Sequence, residues 1–196
     1  MSPATQSLIL ASASPRRYEL LKQIMPRFQI KACPLAEPSS KPDAVNAVAW
    51  AEALAYFKAR AVADRHPGNW VLGADTVVVC EQMLLGKPLN VDDARRMLLL
   101  QAGRACDVIT GLCFVRVNGG TQRLFHAALT RVWMRADQAQ IETYLRSGDW
   151  SGKAGAYGIQ DVGDRLVERI EGSFSNVVGL PLEAVTRLLK HLSLTA

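Results

Sequence analysis

The sequence predicts an α/β fold, a mixed sheet flanked by helices, elongated or cleft between two lobes. Three observations carry this. Apolar runs at residues 8–11 and 70–80 alternate with segments whose apolar residues recur at helical spacing. The 70–80 run is rich in valine, as expected of a central strand buried on both faces. No internal repeat, linker or low-complexity tract divides the 196 residues, and 49% hydrophobic content is enough for a sizeable core, so residues 1–196 form one domain whose lobes are not separable.

Residues 8–11 read as the first strand, and Leu20, Leu21 and Ile24 mark the helix behind it. Ser14 stands where an N-cap belongs, and Pro15 takes the first helical position, where its missing N–H has no partner to lose. Backbone N–H groups, the Ser12 and Ser14 hydroxyls and the Arg16 and Arg17 guanidinium groups gather at this elbow, which suits phosphate oxygens. A capped helix with two solvated arginines accounts for the same residues.

Residues 28–32 form a second expected strand, and the proline- and serine-rich stretch 33–43 a loop. Its Glu37 is either a solvated or a metal-facing carboxylate. A long helix is expected over 43–63, with Lys58 near its end, where a lysine ordinarily solvates or complements the helix dipole. Asp75 interrupts the most apolar run of the chain. Burying an unpaired carboxylate costs on the order of several kcal/mol, so Asp75 must lie at a strand end, be paired, or face a cation. Gly73 and Ala74 beside it leave room for a ligand.

Residues 84–88 deliver Lys87, and 92–101 read as a helix closed by Gly103. Residues 106–117 and 124–134 read as antiparallel strands around Asn118-Gly119-Gly120. Asp137 opens a helix that ends near Gly148. The glycine-rich passage 151–160 lets backbone approach something closely. A strand over 166–170 and a final helix around 184–192 complete the pattern, with 176–182 leading into that helix.

The formal charge of +5 favours anionic partners, yet no run of five like charges appears. Dispersed charge suits nucleotide phosphates better than a duplex, and the scattered Trp50, Trp70, Trp133 and Trp150 make no nucleic-acid surface. No apolar run nears the ~20 residues of a membrane span, and no signal-peptide pattern opens the chain, so a cytoplasmic protein with no membrane partner is expected. Cys33, Cys80, Cys106 and Cys113 lack paired spacing, and reduced, packed thiols are expected. The three histidines have no matched spacing and read as surface or structural residues.

Ser12-Ala13-Ser14-Pro15-Arg16-Arg17, Gly73-Ala74-Asp75-Thr76, Gly86-Lys87-Pro88, the stretch from Lys153 to Gln160 and Asn176-Val177-Val178-Gly179-Leu180-Pro181-Leu182 together resemble the Maf family, in its order and over nearly the whole chain. The resemblance implies a nucleoside triphosphate pyrophosphatase that cuts between the α and β phosphates with a divalent cation, Mg²⁺ or Mn²⁺. It also implies the fold shared with inosine triphosphate pyrophosphatases, and a homodimer. Thr76 with Gly158-Ile159-Gln160 is similar to the branch acting on dTTP and UTP, in which Arg16, Thr76 and Gln160 match the positions associated with base choice. The branch acting on 7-methyl-GTP is the alternative within the family, and a nucleotide-sensing regulator of septum formation with little turnover is the alternative outside catalysis.

On this reading Asp75 orients and deprotonates a water for attack on the α-phosphorus, and Glu37 and Asp75 are the metal carboxylates. Arg16, Lys58 and Lys87 offset triphosphate and pyrophosphate charge. Ser12 and Ser14 meet phosphate oxygens. The Gln160 amide can accept from N3–H of uracil or thymine and donate to a ring carbonyl, although a rotated amide also matches cytosine. Tyr157 either stacks on the base or packs in the core. The chain departs from the family's usual pattern at Ala36 and Phe57, where acidic residues are common, at Gly152, where aspartate is frequent, and at Cys106, where histidine is frequent.

Overall fold

A computed structural model describes residues 7–38, 41–160 and 165–194; Ser39 and Ser40 of the expected loop lie outside them. The strands are β1 (Leu8–Leu10), β2 (Gln29–Ile30), β3 (Trp70–Cys80), β4 (Met83–Leu85), β5 (Ala105–Val117), β6 (Thr121–Met134) and β7 (Val167–Glu171). The α-helices are α1 (Pro15–Ile24), α2 (Ala47–Ala63), α3 (Val91–Gln101), α4 (Gln138–Ser147), α5 (Phe174–Val178) and α6 (Leu182–His191). One sheet runs in the order β2-β1-β3-β5-β6-β7, with β4 also paired to β3. It is mixed, as expected: β1 is parallel to both β2 and β3, while β3–β4 and β6–β7 are antiparallel.

The chain divides into two compact units. The first holds residues 1–75, 110–128 and 179–196, and the second holds 76–109 and 129–178.

In the first unit α2 lies directly on the sheet. Ala51, Ala55, Ala59 and Ala63 recur every four residues and are fully buried, which gives the helix a face without bulk. The strands answer with glycine. A Cβ at Gly73 would stand 2.1 Å from the Ala55 carbonyl oxygen, and one at Gly111 would stand 2.3 Å from the carbonyl carbon of Ala51. Ile9, Ala11, Val71, Cys113 and Val115 fill the core beneath. The helix begins at Ala47, later than expected, because the Asn46 side chain accepts the Ala49 N–H at 2.8 Å and caps it there.

In the second unit α3 packs against α4, where Arg95 grips Glu142 with Nε and Nη2 at 2.8 and 3.0 Å. Fully buried Gln101 donates from Nε2 to the Gly155 carbonyl at 2.7 Å, tying α3 to the passage 151–160. That passage contains a short 3₁₀ turn, Ala154–Ala156, in which Gly155 takes a left-handed φ of 69° against Val78. The five-residue α5 was not legible in the sequence. It begins where the Ser173 hydroxyl accepts the Asn176 N–H at 3.2 Å. Elsewhere β2 is shorter and β6 longer than expected. Among the described residues no helix is long and apolar enough to cross a membrane.

Candidate active site

In the first unit, β1 leads through Ala11 into the elbow. Ser12 is buried, and its hydroxyl accepts the Ser14 N–H at 3.1 Å. Ser14 in turn accepts the Arg17 N–H at 3.5 Å and caps α1, with Pro15 at the start of the helix. The two arginines then part company. Arg17 Nε donates to the Gly179 carbonyl at 2.8 Å, across 162 residues of sequence, while Arg16 stays half-buried beside it. Burial lowers the Arg17 pKa from its ordinary value, and the negative charges of Asp75 and Glu37 oppose that shift. The guanidinium therefore sits within the field of both carboxylates.

Asp75 is at the middle of β3, which excludes a strand-end position. It is paired. Lys58, reaching from α2, donates from Nζ to Asp75 Oδ1, and the same Nζ lies 3.0 Å from Glu37 Oε2. The Lys58 and Asp75 side chains are only 7% and 9% exposed, whereas Glu37 is 41% exposed, so the cluster opens to solvent on the Glu37 side. Two carboxylates meeting at one cationic atom compensate a charge that would otherwise be costly to bury. Both meet the same Lys58 ammonium, and hard carboxylate oxygens are of the kind that suits Mg²⁺ or Mn²⁺. Among the described residues no group of three or more His, Cys, Asp or Glu is placed for a metal ion. A pair of carboxylates still fits Mg²⁺, which takes its remaining ligands from water and phosphate. Ala36 is exposed, and Phe57 lines an apolar hollow with Leu35, Trp50 and Tyr56.

The second unit holds Thr76, Lys87 and Gln160. Thr76 follows Asp75 on β3 and is half-buried. Lys87 is exposed, on a segment fixed by the Gly155 N–H, which donates to the Gly86 carbonyl at 2.9 Å. Gln160 is exposed, yet the residues before it are held firmly. The Gly158 N–H donates to the hydroxyl of fully buried Tyr144 at 3.2 Å. The Lys153 side chain covers the other atoms of Gly158 so closely that a Cβ there would meet Cε and Nζ at 3.0 Å. Tyr157 is buried in the core and burial raises its pKa, which excludes the base-stacking role.

Within the first unit the structure thus gathers Ser12, Ser14, Arg17, Glu37, Lys58 and Asp75. Sequence reasoning placed both guanidinium groups at the elbow and gave the specific site role to Arg16 alone, because nothing in Pro15-Arg16-Arg17 says which guanidinium turns inward. Tyr144 was missed entirely. A buried tyrosine on an amphipathic helix carries no signal that its hydroxyl will meet a backbone N–H fourteen residues on.

The arrangement of strands and helices defines a mixed α/β protein with the fold of a HAM1 protein from Coxiella burnetii, matched with a TM-score of 0.52 at 12% identity over 94% of this chain and 98% of that one. More narrowly, the chain belongs to the Maf-like protein family, whose sequence profile matches residues 7–192. Relatives named dTTP/UTP pyrophosphatase include one from Myxococcus xanthus, 45% identical over 95% of this chain and 93% of its own length. Another, from Moorella thermoacetica, is 45% identical over 93% of each chain, and one from Ruminiclostridium cellulolyticum is 39% identical over 96% of this chain and 97% of its own.

Proposed function

We propose that this protein hydrolyses dTTP and UTP to the nucleoside monophosphate and pyrophosphate. The observation that carries the reading is the buried Lys58 ammonium bridging Asp75 and Glu37, close to an arginine-bearing helix start. Binding a phosphate needs cations alone, so two carboxylates held in a basic setting, beyond compensating Lys58, suit a site where a proton or a metal is handled. The names of the relatives supply the substrates.

The chemistry follows from the groups. Lys58 on Oδ1 fixes the orientation of Asp75, and the carboxylate takes a proton from water. The water oxygen attacks the α-phosphorus, its proton passes to Asp75, and the bond from the α-phosphorus to the α–β bridging oxygen breaks, so pyrophosphate departs with the electron pair. Arg16, Arg17 and Lys87 offset the charge that builds on the phosphate oxygens, and the Ser12 and Ser14 hydroxyls with the first N–H groups of α1 meet the same oxygens. Glu37 and Asp75 would hold a Mg²⁺ or Mn²⁺ ion, which supplies further neutralisation of the triphosphate. Gln160 reads the base through its amide, with Thr76 as a second polar group. The reaction is placed in the cytoplasm and requires neither nucleic acid nor membrane. A homodimer belongs to the same proposal and is read by sedimentation.

The test is pyrophosphate against orthophosphate release from dTTP, UTP, CTP, GTP, ATP and 7-methyl-GTP with Mg²⁺ or Mn²⁺, using Asp75→Asn as control. Pyrophosphate from dTTP and UTP, lost in the variant, is the expected result. Release from 7-methyl-GTP instead would overturn the base assignment, and tight nucleotide binding without any release would overturn catalysis in favour of a sensor.

A further inference from the structure

Two nucleophilic side chains that the proposed reaction does not use lie against each other. Cys80, the last residue of β3, and Cys106, near the start of β5, come from neighbouring strands, and their sulfur atoms are 2.7 Å apart. Both are free thiols, each only 1% exposed. A disulfide bond is about 2.05 Å long, so closing one asks the sulfurs to approach by well under an ångström. The remaining cysteines, Cys33 and Cys113, are free as well, and neither has another cysteine sulfur recorded against it.

The pair is buried, and one neighbour in sequence of each cysteine is exposed. Glu81 and Gln82, directly after Cys80, are exposed and hold left-handed φ values of 47° and 67° in the tight turn between β3 and β4. Ala105, directly before Cys106, is exposed too. Over this end of the strands the Arg104 Nε donates to Glu81 Oε1 at 2.8 Å, a pair whose side chains are 41% and 57% exposed. Such a surface ion pair contributes little stability, and Cys80 Sγ also lies 3.8 Å from the Leu100 carbonyl oxygen at the end of α3.

We propose that Cys80 and Cys106 are a site of reversible oxidation, joined as an intramolecular disulfide that ties the end of β3 to the start of β5. With hydrogen peroxide as oxidant the step balances. One sulfur attacks a peroxide oxygen, the O–O bond breaks, and a sulfenic acid and one water form. The second sulfur then attacks the first and displaces the hydroxyl as another water. Two S–H bonds are lost, one S–S bond is made, and the peroxide takes both electrons. A dithiol returns the pair to thiols. Burial raises the pKa of Cys106, which keeps it a thiol at neutral pH and makes the reaction slow, faster as the solution becomes alkaline.

The test uses the unaltered chain, treated with hydrogen peroxide, alkylated after denaturation and mapped by proteolysis and mass spectrometry. A cross-linked peptide pair joining Cys80 to Cys106, two mass units lighter than the separate thiols and released by dithiothreitol, is the expected product. Oxidation should also raise the melting temperature, and reduction should return it, since a closed cross-link restricts the unfolded chain. Full alkylation of Cys80 and Cys106 after treatment overturns the proposal. So do oxygen adducts on either residue without the link, or a link from either one to Cys33, to Cys113 or to a second chain.

Discussion

The charged cluster of the first unit and the Gln160 segment of the second reach order by opposite means. Around Asp75 the charged groups meet one another, buried Lys58 on buried Asp75 and on the more exposed Glu37, with Arg17 in the field of both carboxylates. Around Gln160 the acting amide is exposed, and order comes from uncharged contacts to the backbone behind it, through Tyr144, Gln101 and Gly155. A charge cluster of the first kind fails when one member is removed, because its partner is left buried and uncompensated. A backbone-held segment of the second kind loses aim before it loses structure.

The largest break is expected at Asp75. Asp75→Asn keeps the shape and removes the base, and pyrophosphate release should fall by roughly 10²–10⁴-fold while the circular dichroism spectrum is unchanged. Lys58→Met attacks the same cluster from the other side. It leaves two carboxylates without their cation and should lower stability by about 3–5 kcal/mol in urea unfolding. Adding Asp75→Asn to Lys58→Met should restore part of that loss; additive losses would show that the pairing is not what the cluster depends on.

A smaller effect, confined to packing, is expected at Gly73. Gly73→Ala forces α2 off the sheet and should cost about 1–3 kcal/mol in the same unfolding measurement. The smallest, and the one that sharpens the contrast, is Tyr144→Phe. It removes the acceptor of the Gly158 N–H and keeps the ring, so the ratio of kcat/KM for dTTP over CTP should fall by about 2–10-fold, with the melting temperature little changed. An unaltered ratio would mean that Gln160 keeps its aim without that hydrogen bond.

Much of the first unit was legible because its signals are local. Ser14 and Pro15 announce the start of α1, and an aspartate inside a valine-rich strand announces its own need for a partner. The partner's identity was not legible, since Lys58 and Asp75 are seventeen residues apart on different kinds of element. The start of α2 was misplaced because apolar periodicity runs past the true cap at Asn46. Arg16 and Arg17 were indistinguishable because neighbouring helical residues differ only in the direction they face, which tertiary packing decides. Tyr144 and the Cys80–Cys106 contact rest on strand order and helix placement, which no local pattern encodes.

The hydrogen bond from Arg17 to Gly179 bears on how the protein is born. Synthesis runs from the N-terminus, so the elbow around Ser14 is made well before the carbonyl that anchors its arginine, which follows 162 residues later. A nascent chain lacking residues 179–194 has the elbow's sequence without its anchor, and without α6, which packs on α1. Arg17 therefore gains its anchor only once residue 179 has been made, and a chain stopped before that point folds its elbow without this hydrogen bond.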